Sequence, residues 1–86
     1  MKKSIRTLEQ LHLQGLLKAI RHESSLTQID VAEKLSRPQS FVSKYESGER
    51  RLDLPELKRV CQSLGITLIE FVMRFEEGLK YPKEDD

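Results

Sequence analysis

The sequence predicts a small all-α protein, because its apolar residues recur at helical spacing and no stretch alternates as a half-buried strand would. The pattern is clearest in a single stripe formed by Leu13, Leu16, Leu17 and Ile20. The chain has 86 residues, of which 37% are hydrophobic and 34% are charged. That composition suits one compact, well-solvated domain, so we expect helices packed around a single lean core.

The first three predicted helices are marked by residues suited to helix ends. The first covers about Thr7 to His22, where a polar run follows it. The second begins at Thr27, a good N-cap, and Asp30 stands at the position of a capping box. It ends by Ser36. The third begins near Pro38, since proline is tolerated in a first helical turn. Its apolar side is thin and consists of Phe41, Val42 and Tyr45.

Two further helices follow a loop around Gly48. Asp53 caps the fourth, Glu56 stands at its capping-box position, and Gly65 ends it. The fifth covers about Thr67 to Glu77 and carries apolar residues over an arc of roughly 200°, twice the width that a surface helix of a small domain needs. This excess is either core counted too generously or the interface of a homodimer. The residues expected in that interface are Leu68, Ile69, Val72, Met73 and Phe75.

The distribution of charge along the chain is more informative than the net charge. The net charge is only +1, which argues weakly against a polyanionic partner. Between Lys34 and Arg51, however, five basic residues stand against two acidic ones. A basic arm is expected over residues 1–6, either frayed or in contact with phosphate, and a polar acidic tail over residues 78–86. The local excess of positive charge favours nucleic acid as a partner.

Several classes of protein are excluded by what the sequence lacks. The single Cys61 allows no internal disulfide and no cysteine-based metal site, and it lies on an apolar stripe. His12 and His22 have no partners at ligand spacing and are expected at the surface. We find no nucleophile–base pair, phosphate loop or long apolar run. The sequence therefore predicts no enzyme, cofactor, metal, small-molecule ligand or membrane span, and a cytoplasmic location.

The two short helices Gln28 to Leu35 and about Pro38 to Glu46, joined by a tight turn, match a helix-turn-helix layout over residues 27–46. With this spacing the sequence resembles the Cro/C1-type repressor family, also called the XRE family, over about residues 13 to 75. The matching positions are Leu26, Thr27, Gln28, Val31, Ala32, Leu35, Gln39, Ser40, Val42, Ser43, Tyr45, Glu46, Gly48, Arg50, Leu57, Leu64 and Gly65. The resemblance implies a five-helix lambda-repressor-like domain.

The resemblance also implies roles for individual residues. The first turns of the third helix would enter the major groove, where Gln39 suits an adenine edge and Lys44 suits guanine. The expected base contacts are Gln39, Ser40 and Lys44. The expected phosphate contacts are Thr27, Gln28, Arg37, Ser43, Arg50 and Arg51. Arg21 and Glu46 match positions that form an interior ion pair in some family members.

One position departs from the family pattern. The family usually has glycine in the turn between the two helices, and this chain has Ser36. A residue other than glycine at positive φ is uncommon and costs conformational energy. Either Ser36 accepts that strain, or Ser36, Arg37 and Pro38 form a different turn.

The leading expectation is a sequence-specific transcriptional regulator of a bacterium or phage that binds double-stranded DNA. We expect a repressor that acts as a homodimer on a pseudo-palindromic operator, because one such module contacts few base pairs. A different class of function is an interaction protein, whose fifth helix would bind a toxin or an RNA polymerase subunit.

Overall fold

The computed structural model describes residues 5–78, which form five α-helices and no strand within that span. The predicted fold class is therefore confirmed. The helices are α1 (Ile5–Glu23), α2 (Gln28–Leu35), α3 (Gln39–Ser47), α4 (Leu54–Ser63) and α5 (Leu68–Gly78). Residues 1–4 of the expected arm and 79–86 of the expected tail lie outside the described residues, whereas residues 5 and 6 belong to α1 and residue 78 belongs to α5. Within those residues, no helix combines the length and the apolar character needed to cross a bilayer.

Side-chain capping begins α2 and α4 as the sequence predicts. The Thr27 hydroxyl accepts a hydrogen bond of 3.0 Å from the Asp30 amide, and the Asp30 carboxylate accepts one of 2.8 Å from the Thr27 amide. Asp53 and Glu56 form the same reciprocal pair at the start of α4, with bonds of 2.8 and 3.0 Å. Each pair satisfies backbone donors that a helix start leaves free. These caps fix where α2 and α4 begin.

The turn between α2 and α3 resolves the alternatives left open for Ser36. Ser36 adopts the left-handed conformation, with φ 55° and ψ 43°. The Ser36 amide donates to the Glu33 carbonyl and the Arg37 amide donates to the Ala32 carbonyl, at 3.1 and 2.9 Å. In this helix-ending hydrogen-bond pattern, the residue in the left-handed conformation is usually glycine. Ser36 therefore accepts the strain, at a cost of roughly 1–2 kcal/mol.

A second serine in the left-handed region was not foreseen. Ser25 follows α1 with φ 59°, and the Leu26 amide donates to the Arg21 carbonyl at 3.2 Å. The motif at the end of α1 is thus the same as that at the end of α2. It turns the chain sharply, so that Thr27 can begin α2 against α1.

The core is built from one apolar face of each helix. Its most deeply buried side chains, each at most 2% exposed, are Leu17, Ile20, Val31, Val42, Tyr45, Val60, Cys61 and Phe71. Cys61 is fully buried, and its burial raises the pKa of the thiol to about 11. This matches the packing role expected for Cys61.

The wide apolar arc of α5 divides into two parts. Phe71 is 1% exposed, and Leu68 and Phe75 pack against the core as partly buried residues. The exposed fraction is 73% for Ile69, 43% for Val72 and 61% for Met73. Part of the predicted excess is therefore core, and the remaining three residues form an exposed apolar face, which we call the α5 face.

The side-chain contacts between α1 and α5 correct the expectation for His12. His12 was expected at the surface, but it is half-buried, and its Nε2 lies 3.1 Å from the Phe75 carbonyl oxygen. The His12 and Phe75 rings also pack with centroids 5.0 Å apart. At the C-terminal end of α1, Arg74 donates to both carboxylate oxygens of Glu23, at 3.0 and 2.9 Å. These contacts hold α5 against α1.

Candidate nucleic-acid interface

The third helix presents a polar face to solvent and an apolar face to the core. Gln39, Ser40 and Lys44 are exposed, and Ser43 between them is half-buried. On the opposite side Phe41, Val42 and Tyr45 are buried. Burial raises the pKa of the Tyr45 hydroxyl above its usual range, so this group stays neutral. The predicted base-contacting residues thus share one exposed face of a firmly anchored helix.

A buried ion pair ties the end of α3 to α1. Arg21 Nε lies 2.7 Å from Glu46 Oε2, and Arg21 Nη2 donates to Glu46 Oε1 at 3.0 Å. The two side chains are only 9% and 4% exposed. Arg21 Nη1 also donates to the Leu26 carbonyl at 2.9 Å, and the hydrogen bonds to Glu46 raise the arginine pKa. The pair thereby fixes α3 relative to α1 and to the start of α2.

The ion pair continues into a chain of glutamine side chains. Gln28 Nε2 donates to Glu46 Oε1 at 3.0 Å, and Gln28 Oε1 accepts from Gln39 Nε2 at 2.7 Å. A carboxylate can only accept, so the Gln28 amide nitrogen must face Glu46 and its oxygen must face Gln39. Gln39 must then donate to Gln28. The orientation of the exposed Gln39 amide is therefore set by a buried charge pair.

Sequence reasoning missed this link between Gln28 and Gln39. The available signal was positional: each glutamine is the first residue of its helix, Gln28 of α2 and Gln39 of α3. In a helix-turn-helix pair the starts of the two helices lie close together, so long polar side chains there are able to meet. The two bonds use one amide hydrogen and the carbonyl oxygen of Gln28, so neither of them uses its second amide hydrogen.

The residues predicted to contact phosphate differ in exposure and in the hydrogen bonds that they already make within the protein. Arg51 is exposed. The Thr27 hydroxyl accepts the bond from the Asp30 amide and keeps its own proton for donation. Arg50, in contrast, donates to both Glu56 carboxylate oxygens at 3.0 and 2.7 Å. These hydrogen bonds hold the pKa of the Glu56 carboxyl down to about 2, so Glu56 remains charged.

Glu56 and Phe41 also contact Arg37, as they do Arg50. Arg37 Nη2 lies 3.8 Å from Glu56 Oε2. The guanidinium carbons of Arg37 and Arg50 lie 4.5 and 4.8 Å from the centroid of the Phe41 ring. Sequence reasoning assigned Glu56 only to the helix cap and Phe41 only to the core. We call the group Arg37, Phe41, Arg50 and Glu56 the arginine cluster.

These features define a helix-turn-helix DNA-binding domain: a short capped helix, a tight turn, and a second helix with a solvent-facing polar surface. The helix-turn-helix family model matches residues 17–71, which is more than half of the chain. The chain therefore belongs to the XRE family of helix-turn-helix proteins. The family comprises DNA-binding transcription regulators, which are typically not enzymes.

Solved structures share this fold. An XRE-family like protein from Pseudomonas syringae pv. tomato str. DC3000 is 36% identical, with a TM-score of 0.82 over 88% of this chain and 93% of that chain. The restriction-modification controller protein C.Esp1396I, solved as a tetramer with its natural 35 base-pair operator, is 23% identical, with a TM-score of 0.76 over 87% and 95% of the two chains. A variant of that controller, bound to its highest affinity operator site, is 25% identical, with a TM-score of 0.74 over 80% and 91%. None of the curated proteins matches the chain.

Proposed function

We propose that this protein is a sequence-specific transcriptional repressor that binds a pseudo-palindromic duplex operator as a homodimer. The observation that carries the proposal is the exposed face of α3, on which the Gln39 amide is held in one orientation by Gln28 and Glu46. The similar controller protein solved with its operator supports the same mode of action. The protein would act on DNA in the cytoplasm of a bacterium or of a phage host.

The orientation of Gln39 favours adenine as its base. Gln39 uses one amide hydrogen for Gln28, which leaves the second hydrogen and the carbonyl oxygen for another partner. Adenine offers an acceptor at N7 and a donor at N6 in the major groove, which complement that pair of atoms. Ser40 and Lys44 on the same face would read neighbouring base edges.

The remaining polar residues would hold the DNA backbone. Backbone amides and the helix dipole at the start of α2 attract phosphate, with Thr27 and Gln28 at that point. Arg37 and Arg51 flank α3 on its two sides in sequence, and Ser43 lies within it. Together with Arg50, these residues would position the domain without specifying sequence.

The α5 face is the proposed dimer interface. Ile69 and Met73 are the most exposed apolar residues of α5, and they lie one helical turn apart. Leu68 and Phe75, packed against the core, would form its inner border. A second copy would cover the face and place the α3 helices of both copies on one side of the duplex, which matches a two-fold symmetric operator.

Polar substitution of the α5 face is expected to dissociate the dimer. Because Ile69 and Met73 contribute little to the core, the double variant Ile69→Ser/Met73→Ser should remain folded yet sediment as a monomer. Leu54, which is 64% exposed on α4, provides a matched control, and Leu54→Ser should leave the dimer intact. An unchanged dimer in the double variant would place the interface elsewhere. A wild-type monomer would instead favour a different protein on this face, such as a toxin or an RNA polymerase subunit.

Duplex binding and its dependence on salt test the proposed function. Wild-type protein should bind a mixed-sequence duplex at low salt. The logarithm of the association constant K should fall linearly with the logarithm of the salt concentration, and each neutralised phosphate should add about 0.9 to the steepness of that slope. Arg51→Glu should weaken binding and make the slope shallower. Absence of duplex binding at low salt would contradict the proposal.

A further inference from the structure

The arginine cluster combines two arginines that lie on either side of α3 in the sequence. Arg37 stands two residues before α3, and Arg50 follows its last residue by three. The guanidinium carbons of both nevertheless lie close to the Phe41 ring, at 4.5 and 4.8 Å from its centroid. Phe41 is only 7% exposed, so the ring offers a fixed platform within the core. A buried aromatic face attracts and orients guanidinium groups.

Glu56 is the anion that holds the cluster together. It accepts two hydrogen bonds from Arg50, one of 3.0 Å from the Asp53 amide, and lies 3.8 Å from Arg37. Glu56 is itself buried, at 9% exposed. Its position is fixed by the capping box of α4, since its own amide donates to Asp53 at 2.8 Å. The carboxylate is therefore rigid before either arginine reaches it.

The charges of the cluster do not balance. Two guanidinium groups share one carboxylate, and Arg59 lines the same small cavity beside Arg37 and Phe41. The Arg37 and Arg50 side chains remain 42% and 36% exposed, so part of each guanidinium still faces solvent. Each arginine has five N–H donors. Arg50 donates to Glu56 and to the Arg51 carbonyl, and the 3.8 Å contact between Arg37 and Glu56 is longer than a hydrogen bond. The cluster thus presents oriented donors with a net positive charge beside α3, as a phosphate requires.

We propose that Glu56 is a positioning residue for DNA binding, which orients Arg37 and Arg50 as a preformed pair of phosphate donors at the two ends of α3. This inference rests on the proposed function. Glu56 does not contact DNA. It acts by fixing two flexible side chains before binding, so that the complex does not have to order them.

The sign of one mutational effect separates this role from simple electrostatics. Glu56→Gln removes a negative charge close to the interface, which by charge alone should strengthen DNA binding. Glutamine also suits the capping-box position, so the start of α4 is retained. If Glu56 positions the arginines, the variant should instead bind a mixed-sequence duplex several-fold more weakly. The dependence of log K on log salt should become shallower by up to about 2, since each phosphate contact contributes about 0.9.

Glu49→Gln is the matched control, because it removes the same charge from an exposed residue of the loop that also carries Arg50. Glu49→Gln should bind as well as wild type or slightly better. Thermal unfolding of both variants, measured alongside, identifies the folded fraction used in each titration. Binding by Glu56→Gln that equals or exceeds that of wild type would overturn the inference.

Arg50→Lys gives an independent measurement should Glu56→Gln fail to fold. Lysine keeps the charge but lacks the planar fork that donates to both Glu56 oxygens and lies on Phe41. We expect roughly three- to tenfold weaker duplex binding despite the unchanged charge; wild-type affinity would overturn the inference. If wild-type protein itself does not bind duplex, the proposed function fails. If wild type binds and these variants bind equally well, only the role of Glu56 fails.

Discussion

Replacement of Glu46 by alanine is expected to lower the free energy of unfolding by about 3–5 kcal/mol, because the buried Arg21 guanidinium would lose its counter-ion. Arg21 is 7% exposed as a residue, so little water is available to solvate the charge left behind. A small domain has a total stability of only about 5–15 kcal/mol, so this variant should be close to unfolding at physiological temperature. Urea denaturation followed by circular dichroism measures the loss.

A paired substitution separates the ion pair from its packing. The double variant Arg21→Met/Glu46→Leu removes both charges and keeps apolar volume, so it should be considerably more stable than Glu46→Ala. A loss of less than about 1 kcal/mol in Glu46→Ala would mean that the pair behaves as a surface salt bridge. That result would contradict the assigned role in fixing α3 against α1.

Replacement of Gln39 by alanine is expected to relax base preference at one position of each half-site. A bidentate contact between glutamine and adenine contributes about 1–3 kcal/mol of discrimination against other bases. Gln28→Ala should cause a smaller relaxation at the same position, because Gln39 would remain but lose the partner that orients it. The measurement is the affinity for duplexes that differ by one base pair at that position.

The control for this prediction is another glutamine. Gln62 is exposed on α4 and belongs to neither helix of the helix-turn-helix pair, so Gln62→Ala should leave both affinity and base preference unchanged. If Gln39→Ala weakened binding to all duplexes equally, Gln39 would be a backbone contact rather than a base contact. An unaltered preference in Gln28→Ala would mean that the hydrogen bond between the two glutamines does not orient Gln39.

Local features of the fold follow directly from the sequence. The capping boxes of Thr27 with Asp30 and of Asp53 with Glu56 form between residues three apart, where helix geometry alone fixes the distance. The stripe containing Leu17 and Ile20 is likewise local in origin. Such features depend on neighbours in the chain and are therefore visible without knowledge of the tertiary structure.

The parts that sequence reasoning missed depend on where distant side chains arrive. Arg50 and Glu56 are six residues apart, but their pairing depends on the path of the loop after Gly48, whose φ of 91° redirects the chain. His12 meets Phe75 only because α5 folds back onto α1. For Ser36 the sequence left two conformations open, since the strain of one had to be weighed against packing that only the tertiary structure shows.

Selection of bound duplexes from a random-sequence DNA pool tests whether the exposed face of α3 reads base sequence. We expect enrichment of a two-fold symmetric site with half-sites about one helical turn apart and an adenine in each half-site. Selection with Gln39→Ala should recover the same spacing without the preference for that adenine. Recovery of no common sequence by the wild-type protein, or of an unchanged adenine preference by Gln39→Ala, would contradict the reading role assigned to the exposed face of α3.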